Sequence, residues 1–258
     1  MEYALITGAS KGIGKAIAYQ LAKKKINILL VARSEDLLKE LAQDIKKIHS
    51  VDADYFATDL SDPNAAQHVR QWCLQKNYAI NILVNNAGYG LWGRFDTLTL
   101  EEQNNMLRLN MSTLVNLTYE LLPTLKAAKK SYILNVASTA AYQAVPTLSL
   151  YAASKAFVLS FSRGLKIELK NTPISVSCIS PGPTTSDFVN RARMGSAIQK
   201  KAEQFSMTAE KVAEIAISGM FSGKAEIIPG ISNKLTAKIT SFIPKWLPEK
   251  IAENLYKV

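Results

Sequence analysis

Short apolar segments alternate with longer segments of helical periodicity along most of this chain, and this alternation restricts the possible folds. Strands are predicted at 3–6, 26–32, 54–57, 80–84, 131–136, 174–179 and 226–228. Helices are predicted near 12–24, 35–48, 62–76, 101–127, 150–170 and 209–222. Consecutive strands joined by helices are parallel, and right-handed crossovers place those helices on both faces of the sheet. The sequence therefore predicts an α/β fold with a doubly wound parallel sheet of about seven strands.

The chain has 258 residues and no linker rich in Gly, Ser or Pro, which predicts one domain over 1–230 and an amphipathic extension over 231–258 packed on it. The first predicted strand begins almost at Met1, which leaves no room for a signal peptide. Cys73 and Cys178 lack the spacing of metal ligands, so reduced thiols and no metal are expected. These features together predict a cytoplasmic protein.

The formal net charge of +10 raises the question of an anionic partner. Nucleic-acid binding is disfavoured because the lysines are spread along the chain rather than clustered in a binding region. Short clusters such as Lys23–Lys25 and Lys46–Lys47 lie near predicted helix ends, where cations suit the helix dipole. A solvated basic surface is the favoured interpretation, and an attraction to anionic ligands or membrane surfaces is the alternative.

A glycine-rich loop, TGASKGIG at 7–14, follows the first predicted strand and opens the first predicted helix. In a doubly wound fold this is where the pyrophosphate of a dinucleotide lies. Gly8, Gly12 and Gly14 let the backbone approach the phosphates, and the helix N-terminus donates hydrogen bonds to them. The loop is a weak signal alone, but the strand before it and the helix after it favour a Rossmann-type nucleotide site.

The end of the second predicted strand bears on the choice between NAD and NADP. An acidic residue there binds the adenosine ribose hydroxyls of NAD, whereas this chain has Ala32 followed by Arg33. Arg33 can pair with a 2′-phosphate through two charge-assisted hydrogen bonds, and Lys11 can reach the same group. The sequence therefore favours NADP (NADPH) over NAD.

Several short motifs occur in an order that resembles one family. The glycine loop, Asp59, Asn85-Asn86-Ala87-Gly88, Asn110, Ser138, Tyr151-x-x-x-Lys155 and Pro181-Gly182 together resemble the short-chain dehydrogenase/reductases, and the resemblance covers residues 1 to about 230. A Tyr and a Lys four residues apart on one helix face mean little alone. The other positions make them part of a predicted active site.

The resemblance implies four catalytic residues. Tyr151 is expected to be the general acid in ketone reduction and the base in the reverse reaction. Lys155 is expected to bind the nicotinamide ribose and to favour ionisation of the tyrosine, because a nearby ammonium lowers the pKa of a phenol. Ser138 is expected to hydrogen-bond the substrate carbonyl, and Asn110 to anchor a proton-relay water.

The resemblance also implies the cofactor contacts. They are expected at Gly8, Ser10, Lys11, Gly12, Ile13, Gly14, Arg33, Asp59, Leu60, Asn86, Ala87, Gly88, Tyr151, Lys155, Pro181, Gly182 and Ser186. Asp59 and Leu60 are expected at the adenine, and Asn86 to Gly88 along the wall of the cleft. Position 186 is more often Thr in the family, which puts its contact with the carboxamide in doubt.

These features predict an NADPH-dependent reductase that converts a small-molecule carbonyl to a secondary alcohol, reversibly. A 3-oxoacyl thioester reductase is an alternative, because the stretch after Pro181-Gly182 mixes apolar and basic residues that suit an acyl carrier or coenzyme A thioester. An amphipathic helix with solvated charges is the favoured explanation of that stretch. An NADPH-binding redox sensor without turnover is the alternative from another class, and the intact Ser138, Tyr151 and Lys155 argue against it.

Two features of the sequence bear on assembly. Helices 101–127 and 150–170 commonly pair between subunits in the family, so a homodimer or homotetramer is expected. The extension repeats apolar residues at helical spacing and carries five lysines against two glutamates over 234–258. Packing against protein is favoured for it, and contact with an anionic membrane surface is the alternative.

Trp92 either lines the substrate mouth or is an ordinary packed aromatic.

Overall fold

Seven parallel strands form the central sheet of the computed structural model, which describes residues 2–185, 192 and 206–255. The strands are Glu2–Thr7 (β1), Asn27–Ala32 (β2), Ala53–Ala57 (β3), Ala79–Asn85 (β4), Ser131–Val136 (β5), Ile174–Ile179 (β6) and Glu226–Ile227 (β9). Their order is β3-β2-β1-β4-β5-β6-β9, and a separate pair joins Thr184–Thr185 (β7) to Met207–Thr208 (β8). The prediction of a single-domain, doubly wound parallel sheet is confirmed.

Helices cover both faces of this sheet. They are Gly12–Lys23 (α1), Glu35–His49 (α2), Ala65–Gln75 (α3), Leu100–Leu107 (α4), Thr113–Ala127 (α5), Ser149–Glu168 (α6), Ala209–Phe221 (α7), Ile231–Phe242 (α8) and Trp246–Leu255 (α9). The alternation along β1 shows why two layers form. Ala4 and Ile6 join a core with α1, α2 and α7, whereas Tyr3 and Leu5 join a core with α3 and α5 on the other face.

The ends of two helices bear on the sequence predictions. The start of the helix predicted near 62–76 is wrong by three residues, because α3 begins at Ala65 and Asn64 is its N-cap. The Asp62 carboxylate instead accepts a hydrogen bond from the Asn64 backbone at 2.7 Å, which holds a turn ahead of the helix. The helix predicted near 209–222 begins at Ala209, and the hydroxyl of its N-cap Thr208 accepts from the Lys211 backbone N–H at 3.2 Å.

The long helix predicted over 101–127 is interrupted. Residues Arg108–Ser112 form a π-helical turn between α4 and α5, and this turn contains Asn110. Such single turns are frequent at functional sites because they change the direction of one side chain without ending the helix.

The extension beyond residue 230 forms α8 and α9. Asn233, Ala237 and Thr240 are the residues of α8 that lie against the rest of the protein. Large apolar side chains of the same helix, Leu235 and Phe242 among them, are exposed. Packing of the extension is therefore carried by small and polar residues, and not by the apolar ones whose spacing suggested it.

Among the residues that the structure describes, no helix is both long enough and apolar enough to cross a bilayer.

Candidate active site

The loop between β1 and α1 is shaped by close contacts that leave no room for side chains. Gly8 and Gly12 have φ of 64° and 54°, a region that favours glycine. A Cβ at Gly14 would lie 2.4 Å from the carbonyl oxygen of Gly8 and 2.5 Å from Nδ2 of Asn86. The loop thus presents backbone at the N-terminus of α1, where N–H groups lack intrahelical partners. This cradle fits the phosphates of a dinucleotide.

Hydrogen bonds connect this loop to the end of β4. Nδ2 of Asn86 donates to the carbonyl oxygens of Thr7 at 2.9 Å and Gly8 at 3.2 Å. The hydroxyl of Thr7 accepts from the backbone N–H groups of Asn86 and Ala87, each at 3.0 Å. The sequence predicted Asn86 and Ala87 as cofactor contacts but missed Thr7, whose buried hydroxyl fixes both. Their arrangement places two strand ends side by side at the switch point of the sheet.

The rim at the ends of β2 and β3 carries charged side chains. Nη1 of Arg33 lies 3.9 Å from Oδ2 of Asp59, with side chains 57% and 50% exposed. Oδ1 of Asp59 accepts from the backbone and hydroxyl of Ser61, which orients the carboxylate. The proximity of Asp59 to Arg33 was not predicted, because it depends on the pairing of β2 with β3. Lys11 lies immediately before α1 at the same edge.

Three other residues predicted to contact the cofactor, Ile13, Leu60 and Ser10, lie in different parts of the fold. Ile13 packs against the core on the α1 face, and Leu60 is buried in the core on the opposite face. Ser10 is partly buried within the glycine loop. Ser186 falls outside the described residues, so its predicted contact with the carboxamide stays a prediction.

Ser138 follows β5 and begins the 3₁₀ turn Thr139–Tyr142. Its Oγ accepts from the Ala140 backbone N–H at 3.2 Å, and the Thr139 backbone donates to the Pro181 carbonyl at 2.9 Å. Gly182 lies against α8, because a Cβ there would be 2.5 Å from Nδ2 of Asn233. The turn holding Ser138 is therefore joined to the segment after β6.

A partly buried polar cluster next to this turn was missed by the sequence analysis. The Tyr142 hydroxyl lies 3.1 Å from Oγ of Ser180 and also contacts the Glu226 carboxylate, which pairs with Arg163. Burial and the Glu226 carboxylate raise the pKa of Tyr142. This phenol stays protonated and fixes the turn, so Tyr142 is a poor candidate for proton transfer.

Tyr151 and Lys155 lie one turn apart on α6, and both side chains are buried. Nζ of Lys155 donates to the Val136 carbonyl at 2.9 Å and lies 5.8 Å from the centre of the Tyr151 ring. Burial lowers the pKa of Lys155 to about 8. A Cβ on Gly88 would lie 3.3 Å from Nζ, so the amine borders the wall of the cleft. Tyr151 and Lys155, the pair predicted from the sequence, therefore lie next to each other, with Lys155 against the cleft wall at Gly88.

Asn110 connects the wall to α6 from the π-helical turn. Its Nδ2 donates to the Tyr89 carbonyl and to Oγ of Ser154, each at 3.0 Å, and its Oδ1 accepts from the Tyr89 N–H at 3.1 Å. Oγ of Ser154 donates in turn to the Tyr151 carbonyl at 2.7 Å. Ser154 was not among the site residues predicted from the sequence. Its hydroxyl belongs to the network that positions Tyr151.

An apolar cluster next to Tyr151 forms the other side of the site. Tyr151 packs with Leu91, Met106 and Val145, and the indole of Trp92 packs against the same cluster. Within the part of the chain that the structure describes, the buried Nε1 of Trp92 has no hydrogen-bond partner. Trp92 therefore packs in the same apolar cluster as Tyr151.

Comparisons with known proteins agree with this geometry. The family model described as short chain dehydrogenase matches residues 2–197. The chain is 29% identical over 245 residues to 17-beta-hydroxysteroid dehydrogenase type 3 of Mus musculus, covering 92% of this chain and 77% of that protein. It is 28% identical over 250 residues to very-long-chain 3-oxoacyl-CoA reductase of Rattus norvegicus, covering 95% and 77%.

A solved structure with a similar fold is a short-chain dehydrogenase from Sphingobium yanoikuyae in complex with NADPH. Its TM-score against this chain is 0.82 at 27% sequence identity, and the alignment covers 95% of this chain and 97% of that one.

Proposed function

Because this chain belongs to the short-chain dehydrogenase/reductase family, we propose that it is an NADPH-dependent reductase of a carbonyl group, acting reversibly on the corresponding secondary alcohol. The family makes the chain an oxidoreductase. The choice of NADPH, the roles of individual residues and the substrate class are our proposal. The observation that carries it is the buried ammonium of Lys155 between Tyr151 and the wall at Gly88.

A bound nicotinamide cofactor supplies the hydride to the carbonyl carbon. The protein must supply the proton, and Tyr151 donates it from its phenol to the carbonyl oxygen. A free phenol has a pKa near ~10, a poor match to proton transfer near neutral pH. The protonated amine of Lys155 favours the phenolate and so eases that transfer. In the alcohol direction the same phenolate accepts the proton.

Ser138 holds the carbonyl oxygen during the transfer. A donor placed where charge develops stabilises the transition state without reorganisation, and the turn that fixes Ser138 is anchored through Thr139 and Pro181. Asn110 keeps Tyr89 and Ser154 in place and thereby positions the Tyr151 backbone. The side-chain polar atoms of Asn110 already have partners in Tyr89 and Ser154. These contacts do not test the proton-relay water at Asn110, which stays a prediction.

The preference for NADPH rests on Arg33 and Lys11. Both cations lie at the carboxyl edge of the strands beside the nucleotide cradle, and β2 ends in Ala32 rather than in an acid. The Asp59 carboxylate near Arg33 works against this preference, because it competes with a 2′-phosphate for the guanidinium. A half-exposed pair at 3.9 Å is weak, so the phosphate is the stronger partner.

The substrate class follows from the apolar cluster around Tyr151. Leu91, Met106 and Val145 are buried apolar side chains around Tyr151, and apolar surroundings of this kind suit a hydrophobic ketone rather than a sugar. A 3-oxoacyl thioester is the second candidate. The apolar and basic stretch that suggested it, which includes Phe188 and Arg191, lies outside the described residues.

The decisive experiment follows NADPH and NADH oxidation with steroid ketones, long-chain 3-oxoacyl-CoA thioesters and simple aldehydes. We expect NADPH-supported turnover of a hydrophobic ketone that Tyr151→Phe abolishes. Preference for 3-oxoacyl thioesters selects the alternative substrate class. Tight NADPH binding without turnover of any carbonyl, or of any secondary alcohol with NADP, contradicts the enzyme assignment and supports a sensor.

Assembly and location are also proposals. We propose a homodimer or homotetramer formed through α5 and α6, whose surfaces include the exposed Tyr119 and Ile167. We propose a reducing, cytoplasmic location, in keeping with the free and buried Cys73 and Cys178. Light scattering tests the first, and fractionation of cells expressing the chain tests the second.

A further inference from the structure

Helix α8 packs with its small and polar face inward. Asn233, Ala237 and Thr240 recur at intervals of four and three residues and lie against the protein. The large apolar residues Ile231, Leu235, Ile239 and Phe242 recur at similar intervals on the opposite side of the helix. Helices of globular proteins normally bury the apolar stripe, so this one is placed for another contact.

Large apolar side chains are exposed along both α8 and α9, and we call this set the tail surface. It consists of Ile231, Leu235, Ile239, Phe242, Trp246, Leu247 and Ile251. Ile231 and Phe242 are 88% exposed and Trp246 is 62% exposed. Scattered apolar residues are ordinary on a protein surface, but seven large exposed ones between residues 231 and 251 mark an interaction site.

Basic residues accompany the tail surface. Lys234 and Lys238 lie along one side of the α8 stripe, and Lys245 and Lys250 follow on the connection and on α9. Lys234 and Lys238 are exposed, and α8 contains no acidic residue. An amphipathic helix with lysines beside large apolar side chains lies in the interface of an anionic bilayer, where the lysine stems follow the apolar surface and the ammonium groups meet lipid phosphates.

We propose that the tail surface docks this protein onto the surface of an anionic lipid bilayer. A second copy of the chain is the weaker occupant, because a two-fold interface there places Lys234 and Lys238 near their own equivalents, and the chain already carries a net charge of +10. A bilayer offers both an apolar interior and negative charge. Asn233 lies against Gly182, so docking places this end of the cleft next to the lipid.

Flotation with vesicles tests the proposal on the full chain without cofactor or substrate, so its result is independent of the catalytic assignment. Wild type is expected to float with phosphatidylcholine vesicles containing phosphatidylglycerol, and to bind more weakly to phosphatidylcholine alone. The double variant Phe242→Ser/Trp246→Ser is expected to lose at least about tenfold in partitioning, since two large side chains no longer enter the bilayer. Lys234→Gln/Lys238→Gln is expected to lose the preference for the anionic lipid.

A matched control removes exposed apolar side chains elsewhere. Ile48 and Leu74 are also exposed, so Ile48→Ser/Leu74→Ser lowers surface hydrophobicity to a similar degree, and vesicle binding is expected to be unchanged. Trp246 gives a second readout. Trp72 is buried and Trp92 partly buried, so a blue shift of tryptophan emission on adding vesicles comes from Trp246 and is absent in Trp246→Phe.

Two results overturn the proposal. One is failure of the wild type to float with anionic vesicles at low salt. The other is a fall in molar mass by light scattering in Phe242→Ser/Trp246→Ser together with unchanged vesicle binding, which assigns the tail surface to a second copy.

Discussion

The two sides of the cleft are built in different ways. The nucleotide cradle consists of backbone and small residues in contact, so that an added Cβ on Gly14 meets two atoms at 2.5 Å or less. The reactive side consists of the buried side chains Tyr151 and Lys155. Nζ of Lys155 donates to the Val136 carbonyl, and the backbone carbonyl of Tyr151 accepts from the Ser154 hydroxyl. The cradle is thus specified by shape, and the reactive side by the chemical identity of a few groups. Changes of shape and changes of chemistry therefore have different effects on the two sides.

The largest expected effect is a loss of chemistry with the shape retained. Tyr151→Phe keeps the ring in its apolar cluster and removes the proton donor. We expect kcat to fall by at least ~10²-fold while NADPH affinity is retained, in line with the usual contribution of acid–base catalysis. Steady-state kinetics and a fluorescence titration with NADPH measure the two quantities.

Tyr142→Phe is the control for that experiment, because it removes a nearby phenol that is bound to Ser180 and Glu226. We expect a kcat within about tenfold of wild type, since loss of one hydrogen bond loosens the turn without removing the acid. If the two variants lose activity equally, Tyr151 is not the specific proton donor.

A change of shape in the cradle is expected to act on cofactor binding and stability together. Gly14→Ala forces a methyl group against the Gly8 carbonyl. Overpacking of this kind costs roughly 1–3 kcal/mol, which lowers Tm by roughly 2–10 °C for a chain of this size. NADPH affinity falls as well, because the loop must move. Thermal unfolding and NADPH titration measure both effects.

Gly164→Ala is the matched control, because a Cβ there meets nothing within 4 Å and Gly164 lies inside α6. We expect it to raise stability by roughly 0.5–1 kcal/mol through helix propensity. A cradle that tolerates Gly14→Ala as well as α6 tolerates Gly164→Ala contradicts the close-packed description.

The pKa of Lys155 predicts opposite effects of pH on activity and on stability. Above pH about 8 the folded enzyme loses the ammonium that assists Tyr151. We therefore expect kcat/KM for NADPH in carbonyl reduction to fall, approaching a slope of tenfold per pH unit. The unfolded chain keeps a lysine pKa near 10.5 and so binds an additional proton between these values. In that window the contribution of Lys155 to the free energy of unfolding rises with pH.

Lys155→Met is the control for both effects, because it has no titrating amine. We expect it to lack the activity and also the contribution to stability that rises with pH. Denaturant unfolding of wild type and variant between pH 7 and 10 gives the comparison. A wild-type kcat/KM that stays flat to pH 10 is inconsistent with the lowered pKa of Lys155.

The rim of the cradle is exposed, so the chemical identity of its side chains, rather than their shape, is expected to determine the preference for NADPH or NADH. Arg33→Ala removes a charge-assisted contact worth about 1.5–3 kcal/mol, and 1.4 kcal/mol corresponds to tenfold in affinity. We expect NADPH to bind about tenfold more weakly and NADH to be unaffected. Ala32→Asp repels the 2′-phosphate and offers an acceptor to the ribose of NADH, so the preference inverts. Equal weakening of both cofactors by Arg33→Ala contradicts the assignment to NADP.

The smallest expected effect concerns the partner of Arg33. Asp59→Asn removes the carboxylate 3.9 Å from the guanidinium. Exposed pairs are worth about 0.2–1 kcal/mol, so NADPH is expected to bind up to about fivefold more tightly. The same substitution in an Arg33→Ala background is expected to have a smaller effect. An equal gain in both backgrounds means that Asp59 repels the cofactor directly instead of competing for Arg33.

The sequence predicted local structure better than contacts between distant residues. Each strand of the seven-stranded sheet was placed to within one residue at either end, because apolar β-branched runs bounded by turns identify buried strands, whereas the two-residue strands β7 and β8 were missed. The motif residues Ser138, Tyr151 and Lys155 were found by their order along the chain. Thr7 and Ser154 were missed, because their roles depend on partners 79 and 44 residues away. No local pattern contains that information.

The extension shows a second limit. Helical spacing of Leu235, Ile239 and Phe242 predicted an amphipathic helix, and α8 is one. Spacing does not reveal which face the rest of the protein covers. The face that is covered depends on the Gly182 backbone, against which the face of α8 containing Asn233 packs.

The π-helical turn at Arg108–Ser112 sets the rotational phase of the helix that follows it. The backbone N–H of Thr113 donates to the Arg108 carbonyl five residues earlier, so the turn holds one residue more than an α-helix needs. One residue corresponds to about 100° of rotation. If a deletion removed that residue, α5 would start with a different phase and turn Leu117, Leu121 and Leu125 away from the core they now fill. The number of residues between Asn110 and this buried row is therefore fixed by geometry, whatever their identity.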